Sequence, residues 1–382
     1  MFQLVSKLPE VGTTIFSTMS KMAHEYGAIN LSQGFPDFPV SPQLIELVNY
    51  YMKQGHNQYA PMPGAPALRQ KIAELFQKQY QLKINSETEI TITAGATEAL
   101  FVAIQTVVHP GDEVIIFDPA YDSYSPAVRL SGGKPIHIDL SWPDFKIDWE
   151  QVEETITNKT RLIIINTPHN PTGAVLGSED LLALEELTQK YEQLYVLSDE
   201  VYEHITFDGN NHKTVMQYPE LAKKSMAVFS FGKTFHATGW KVGYVIAPEY
   251  ITKEIRKIHQ YVTFSVNTAT QMALADFLEE ESHYNSISNF YQEKRDIFLE
   301  GIKKSRFKPL PSKGTYFQLL SYKGISELGD VAMAEWLTKE HKVASIPISV
   351  FNQAKTDHKV LRFCFAKNES TLSKAAEILC KI

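Results

Sequence analysis

Two cysteines, Cys364 and Cys380, are all that this 382-residue chain contains. One bridge is conceivable and a disulfide framework is not; the scarcity leans towards a reducing compartment. Long apolar runs are also missing. A stretch such as 162–165 falls far short of the roughly 20 residues that cross a bilayer. The first ten residues include Lys7 and Glu10 and no apolar core of signal-peptide length. A soluble cytoplasmic protein is therefore expected, with no membrane partner. Charge of one sign is not in excess. Lys and Arg total 37 against 44 Asp and Glu, a net charge of −7, which argues against a nucleic-acid partner. There is no internal repeat, low-complexity tract or long linker. The 12 histidines show no zinc spacing, so no metal is expected. No G-x-G-x-x-G occurs, which leaves a dinucleotide site unsupported.

What is present is an ordinary globular composition, 43% hydrophobic and 21% charged, at a length that suits two or three domains. Short β-branched runs recur at 89–93, 113–117, 135–139, 161–166, 194–198, 226–230 and 242–247. Several are apolar without alternation, as strands covered on both faces are. Helical spacing lies between many of them, for example at 96–108 and 178–191. The expectation is an α/β fold with an open, mostly parallel sheet covered by helices. The flanks differ. They hold a helix at about 14–26, a Gly-Phe-Pro-Asp-Phe-Pro loop at 34–39 and a long helix at about 286–304. Strands at 315–320 and 360–365 and a last helix follow. Residues 1–40 and 285–382 are expected to build a smaller α+β domain beside a large domain at 41–284.

Ligands of such sheets bind at the carboxyl ends of the strands, and four constellations fall there. The run ending at 93 leads into Gly95-Ala96-Thr97 and a helix. The free N–H groups of a helix start suit an anion; the plainer reading is a turn capped by Thr97. The run ending at Asn166 leads into Pro168-His-Asn-Pro-Thr-Gly173, which alone reads as a turn. The run ending at Ser198 leads into Asp199, either an N-cap or a buried carboxylate in need of a cation. The run ending at Ser230 leads into Phe231-Gly-Lys-Thr234, with Lys241 eight positions after Lys233. Desolvation among aromatic neighbours favours the neutral, nucleophilic amine of Lys233. Gly232-Lys-Thr234 also mimics the end of a P-loop. The first glycine of that motif would fall on Ala227, however, and 228–231 reads as strand.

A single ligand satisfies the whole set. It brings a phosphate for 95–97, Ser230 and Lys241, an aldehyde for Lys233, a basic ring nitrogen for Asp199, and a phenolic oxygen for Asn170 and Tyr202. Pyridoxal 5′-phosphate has all four groups, and a buried carboxylate keeps its ring protonated and electron-accepting.

Nine motifs then occur in one order. They are Gly34-Phe-Pro-Asp-Phe-Pro39, Asn57-Gln-Tyr59, Ala94-Gly-Ala-Thr-Glu98, Asp118-Pro-Ala-Tyr-Asp122 and Pro168-His-Asn-Pro-Thr-Gly173, followed by Ser198-Asp-Glu-Val-Tyr-Glu203, Ser230-Phe-Gly-Lys-Thr234, Thr238-Gly-Trp-Lys-Val-Gly243 and Arg362-Phe-Cys-Phe365. Along nearly its full length the chain resembles the fold-type I pyridoxal-phosphate aminotransferases. Within them it is most similar to the methionine and kynurenine–glutamine group. That resemblance implies a seven-stranded sheet and a ping-pong transamination. Lys233 would carry the Schiff base and shuttle the proton between substrate Cα and cofactor C4′. Asp199 would pair with the pyridinium nitrogen, and Asn170 and Tyr202 would hold the ring oxygen. Tyr121 would stack on the ring, and Gly95, Ala96, Thr97, Ser230 and Lys241 would bind the phosphate. Arg362 would clamp the substrate carboxylate, helped by Asn170 and the Gly34 backbone. Tyr59 and Phe264 would come from a neighbouring subunit, which implies an obligate homodimer with shared sites. Lys241 stands where the commoner aminotransferase pattern has arginine; the kynurenine branch also has lysine.

By motif position Phe16, Phe35, Tyr59, Phe264 and Tyr316 are candidates for the side-chain pocket, though each also reads as core packing. Such a pocket suits methionine first, then phenylalanine, tyrosine, tryptophan or kynurenine. No clear second arginine is available for a dicarboxylic donor. The alternatives are a carbon–sulfur β-lyase on the same scaffold and a catalytically inactive regulator.

Overall fold

The computed structural model describes residues 4–382. All seven expected runs are strands of one sheet. Across it they are ordered Ile90–Thr93, Gly243–Ile246, Ser225–Ser230, Tyr195–Asp199, Thr160–Asn166, Glu113–Asp118 and Lys134–Asp139. Neighbours are parallel except at Gly243–Ile246, which is antiparallel to both of its partners. Ile163, Ile164 and Ile165 are consecutive and all buried, which explains the missing alternation: both faces are covered. The helix Ala96–Val107 packs on this sheet and buries Ala99, Leu100, Val102, Ala103 and Ile104.

The reversed strand matters for position. Its first residue, Gly243, pairs with Thr93 and with Ser230, which are the last residues of their strands. The chain entering it through Lys241 thus arrives at the edge where the parallel strands end.

A second, antiparallel sheet is ordered Ile346–Pro347, Val360–Cys364, Phe317–Ser321 and Lys308–Pro309. The two chain ends meet here. Ile29–Asn30 pairs in parallel with Val343–Ala344, and the Cys364 N–H donates to the Leu31 carbonyl. These pairings carry Ser32 and Gly34 to Arg362 and Tyr316.

Four local readings change. The strand expected from 315 begins at Phe317, because Thr315 has φ 64°, a left-handed conformation no strand residue adopts. The helix expected over 286–304 is Ile287–Gly301, preceded by a separate turn Ser282–Asn285. Asp199 is the last residue of its strand and caps no regular helix. The helix after Thr93 has Gly95, not Thr97, at its N-cap. Both cysteines are free, and Cys364 is core. Among the described residues no helix is long and apolar enough to cross a membrane.

Candidate active site

A cavity of about 250 Å³ opens at the sheet edge where the strands end. One end is a cradle of positive charge. Gly95, at φ 76°, turns the chain into the helix Ala96–Val107, whose first N–H groups have no partner within the helix. Lys241, itself left-handed at φ 55°, sets its Nζ 3.5 Å from Thr97 Oγ1. A Cβ on Gly95 would lie 3.1 Å from that Nζ; one on Gly243 would meet the Phe229 carbonyl at 2.6 Å and the Ala96 nitrogen at 2.9 Å. Glycine is required at Gly95 by its backbone conformation and at Gly243 by the backbone atoms a side chain would strike. A lysine and a helix N-terminus aimed at one point are the donor set of an anion site.

In the middle, Asp199 Oδ2 accepts from the Tyr124 hydroxyl at 2.6 Å and Oδ1 from the Val201 N–H at 3.4 Å. Burial pushes this carboxyl up to about 6. Such a group favours a cationic neighbour, which would restore its charge. Asn166 fixes the loop beside it, donating to the Asp199 carbonyl and accepting from the Asn170 N–H, both at 2.8 Å.

Across the cavity Lys233 leaves the single helical turn Phe231–Thr234. Its Nζ donates to Tyr316 Oη at 2.9 Å and approaches the Gly34 carbonyl at 3.4 Å. Burial pulls the amine down to about 8, partly opposed by the negative charge of Asp199.

The far end belongs to Arg362, a fully buried side chain. Its guanidinium carbon lies 3.9 Å from the centre of the Phe317 ring and 5.2 Å from that of Phe16. One NH2 donates to Asn170 Oδ1 at 2.8 Å, the other to the Ser32 carbonyl at 2.9 Å, and Nε has no partner. Burial draws it down to about 10. A guanidinium only donates, so it also fixes the amide: Asn170 presents its carbonyl to Arg362 and keeps its NH2 free to donate elsewhere.

Of the residues singled out in the sequence, Phe16, Gly34, Gly95, Ala96, Thr97, Tyr121, Asn170, Asp199, Tyr202, Ser230, Lys233, Lys241 and Arg362 line this one cavity. Tyr316 touches it through Lys233. Phe35 instead faces Lys367 at 5.1 Å. Tyr59, 82% exposed, and Phe264, 42% exposed, lie edge to face at 5.3 Å away from the lining. Tyr124, Asn166, Gln33 and Phe317 were not singled out. For Tyr124 a signal existed, since it lies two residues after the 118–122 motif; Phe317 and Gln33 read as ordinary strand and loop residues.

This fold is that of a transaminase. The chain belongs to the class I and II aminotransferases, a family that matches residues 26–379 and uses pyridoxal 5′-phosphate. Among its relatives, the methionine aminotransferase of Escherichia coli (strain K12) is 51% identical over 375 residues, covering 98% of this chain and 97% of its own. A crystal structure of a methionine aminotransferase from Escherichia coli matches with a TM-score of 0.98 at 50% identity, covering 100% of both chains. Human kynurenine–oxoglutarate transaminase 3 is 34% identical over 411 residues, 99% of this chain and 90% of its own.

Proposed function

We propose that this transaminase moves the α-amino group of methionine to a 2-oxo acid, with aromatic amino acids and kynurenine as further donors. The charge inventory of the cavity carries the reading. Its lining cations are Lys233, Lys241 and Arg362, and its one acid is Asp199. Two of the cations belong to the cofactor, so a single one, Arg362, remains for the substrate. That suits a donor with one carboxylate whose side chain meets Phe16 and Phe317. The 51% identity to a methionine aminotransferase supports methionine in particular.

The donor set fits pyridoxal 5′-phosphate. Gly95, Ala96, Thr97, Ser230 and Lys241 would hold the phosphate, and Tyr121 would lie against the ring. Asp199, held by Tyr124 and Val201, would keep a proton on the ring nitrogen. Tyr202 and the free Asn170 NH2 would donate to the ring oxygen. Bound there, the cofactor supplies an electron sink for negative charge at the substrate Cα. Lys233, as a neutral amine, would take the Cα proton and hold it on Nζ. Arg362 and Asn170 set the carboxylate so that the Cα–H faces that amine.

Tyr59 and Phe264 complete the site of a second copy in this reading. With Tyr261 and Val262 they form an exposed apolar group, which a homodimer would cover.

The test is a panel of amino donors ranked by kcat/KM against one fixed 2-oxo acid. Methionine and aromatic donors rank first; a dicarboxylic donor at the top refutes the assignment. Cysteine conjugates in the same panel yield amino transfer rather than pyruvate. Arg362→Ala is expected to raise KM for every donor, about 10²-fold, because removing one partner of a buried charge-assisted contact costs several kcal/mol. A change confined to one side chain would misplace Arg362.

A further inference from the structure

We propose that Tyr316 is the positioning residue that aims the Lys233 amine, gripping it by the phenol oxygen while anchored on the Gly34 carbonyl. The proposal rests on the pyridoxal-phosphate reading of the site. Tyr316 is fully buried. Its Oη lies 2.5 Å from the Gly34 carbonyl oxygen. A carbonyl only accepts, so the single phenol proton is committed there. Towards Lys233 Nζ, at 2.9 Å, the phenol oxygen is left to accept. Burial also pushes this phenol far above its ordinary range, so it remains a neutral hydroxyl and takes no proton from the lysine.

The consequence is stereochemical. A neutral amine has two N–H bonds and one lone pair. Tyr316 Oη and, at 3.4 Å, the Gly34 carbonyl are two acceptors for those two N–H bonds. The lone pair then points away from both. That electron pair forms the bond to the cofactor's aldehyde carbon. The aldehyde oxygen leaves as water with the two amine protons, so atoms and charge balance. The same pair later collects the substrate proton.

Tyr316 is built to hold still. Its ring meets Tyr202 edge-on at 5.2 Å and 88°, and Phe317 at 4.9 Å. The left-handed Thr315 fixes the turn before it. The loop it grips is equally constrained, since a Cβ on Gly34 would lie 2.9 Å from Phe317 Cζ. Ser32, two residues earlier, accepts from Arg362. One short loop thus touches both the amine and the carboxylate clamp.

The experiment adds pyridoxal 5′-phosphate to the full-length, cofactor-free protein and follows the rise of the yellow band against pH. Tyr316→Phe should slow this condensation about tenfold at each pH, the value of one buried hydrogen bond. Its affinity for 4-deoxypyridoxine 5′-phosphate, which has no aldehyde, should stay as in the wild type, although the lost bond to Gly34 lowers the thermal midpoint. A packing role would weaken the analogue's binding as well. Tyr316→3-fluorotyrosine keeps the shape but makes the oxygen a poorer acceptor, and should slow condensation about two- to threefold. Wild-type rates in both variants, or analogue binding lost in step with the rate, overturn the proposal. A wild-type protein that takes up neither compound refutes the cofactor reading itself and not the role of Tyr316.

Discussion

Lys233→Ala is expected to lower kcat by at least about four orders of magnitude while the protein still takes up pyridoxal 5′-phosphate. The two outcomes separate because different residues control them. On the proposed reading, retention depends on the Gly95–Thr97 helix start, Lys241 and Asp199, which line the same cavity from other strand ends. Proton transfer at the substrate Cα would depend on one amine. No other side chain replaces it: Lys241 Nζ is turned towards Thr97, and Tyr316 has its proton on Gly34. Borohydride should therefore fix the cofactor to the wild-type chain and leave it removable from the variant. The wild-type rate of condensation should climb as pH rises towards about 8, where burial places this amine, and level off above it. Near-normal turnover in Lys233→Ala would exclude it as the proton carrier.

Asp199→Asn should cut kcat/KM by about 10²–10³-fold, the usual loss when one aimed electrostatic group is removed from a closed site. The amide cannot balance a cationic ring nitrogen, so the ring loses its proton and its pull on electrons. A second effect has the opposite sign. Burial lifts the folded carboxyl from 3.8 to about 6, so between those values the folded cofactor-free protein holds more protons than the unfolded one. Its stability falls as pH rises through that window, and the deficit persists at neutral pH. Asparagine carries no such penalty. The cofactor-free variant should thus melt about 1–3 °C higher than wild type at pH 7 and not below pH 4. A variant that melts lower at neutral pH would mean that Tyr124 and Val201 satisfy the carboxylate fully.

The sheet was legible because its signal is local. Ile163–Ile165 and Met226–Phe229 are apolar without alternation, and only doubly covered strands read that way. Ile29–Asn30 and Val343–Ala344 were not, since two residues hold no periodicity and their pairing joins opposite chain ends. The site divides in the same manner. Lys233 stood out as a cation in an apolar, glycine-broken stretch. Arg362 was unremarkable until the family pattern placed it, because its partners Asn170 and Ser32 lie far off in sequence. Tyr124 and Tyr316 act across 75 and 83 residues; in the chain alone each is one more aromatic among many. Thr315 shows the remaining gap: a β-branched residue suggests a strand, while the fold bends it left-handed.

The reversed strand has a further consequence. Residues 231–242 leave the sheet at Ser230 and rejoin it at Gly243, and those two residues are paired with each other. Lys233 and Lys241 hang from this single span like the jaws of a caliper. Replacing a residue along it alters one jaw; adding or deleting one resets the gap between them. An insertion or deletion within this span is thus expected to cost more activity than a single replacement at most of its positions.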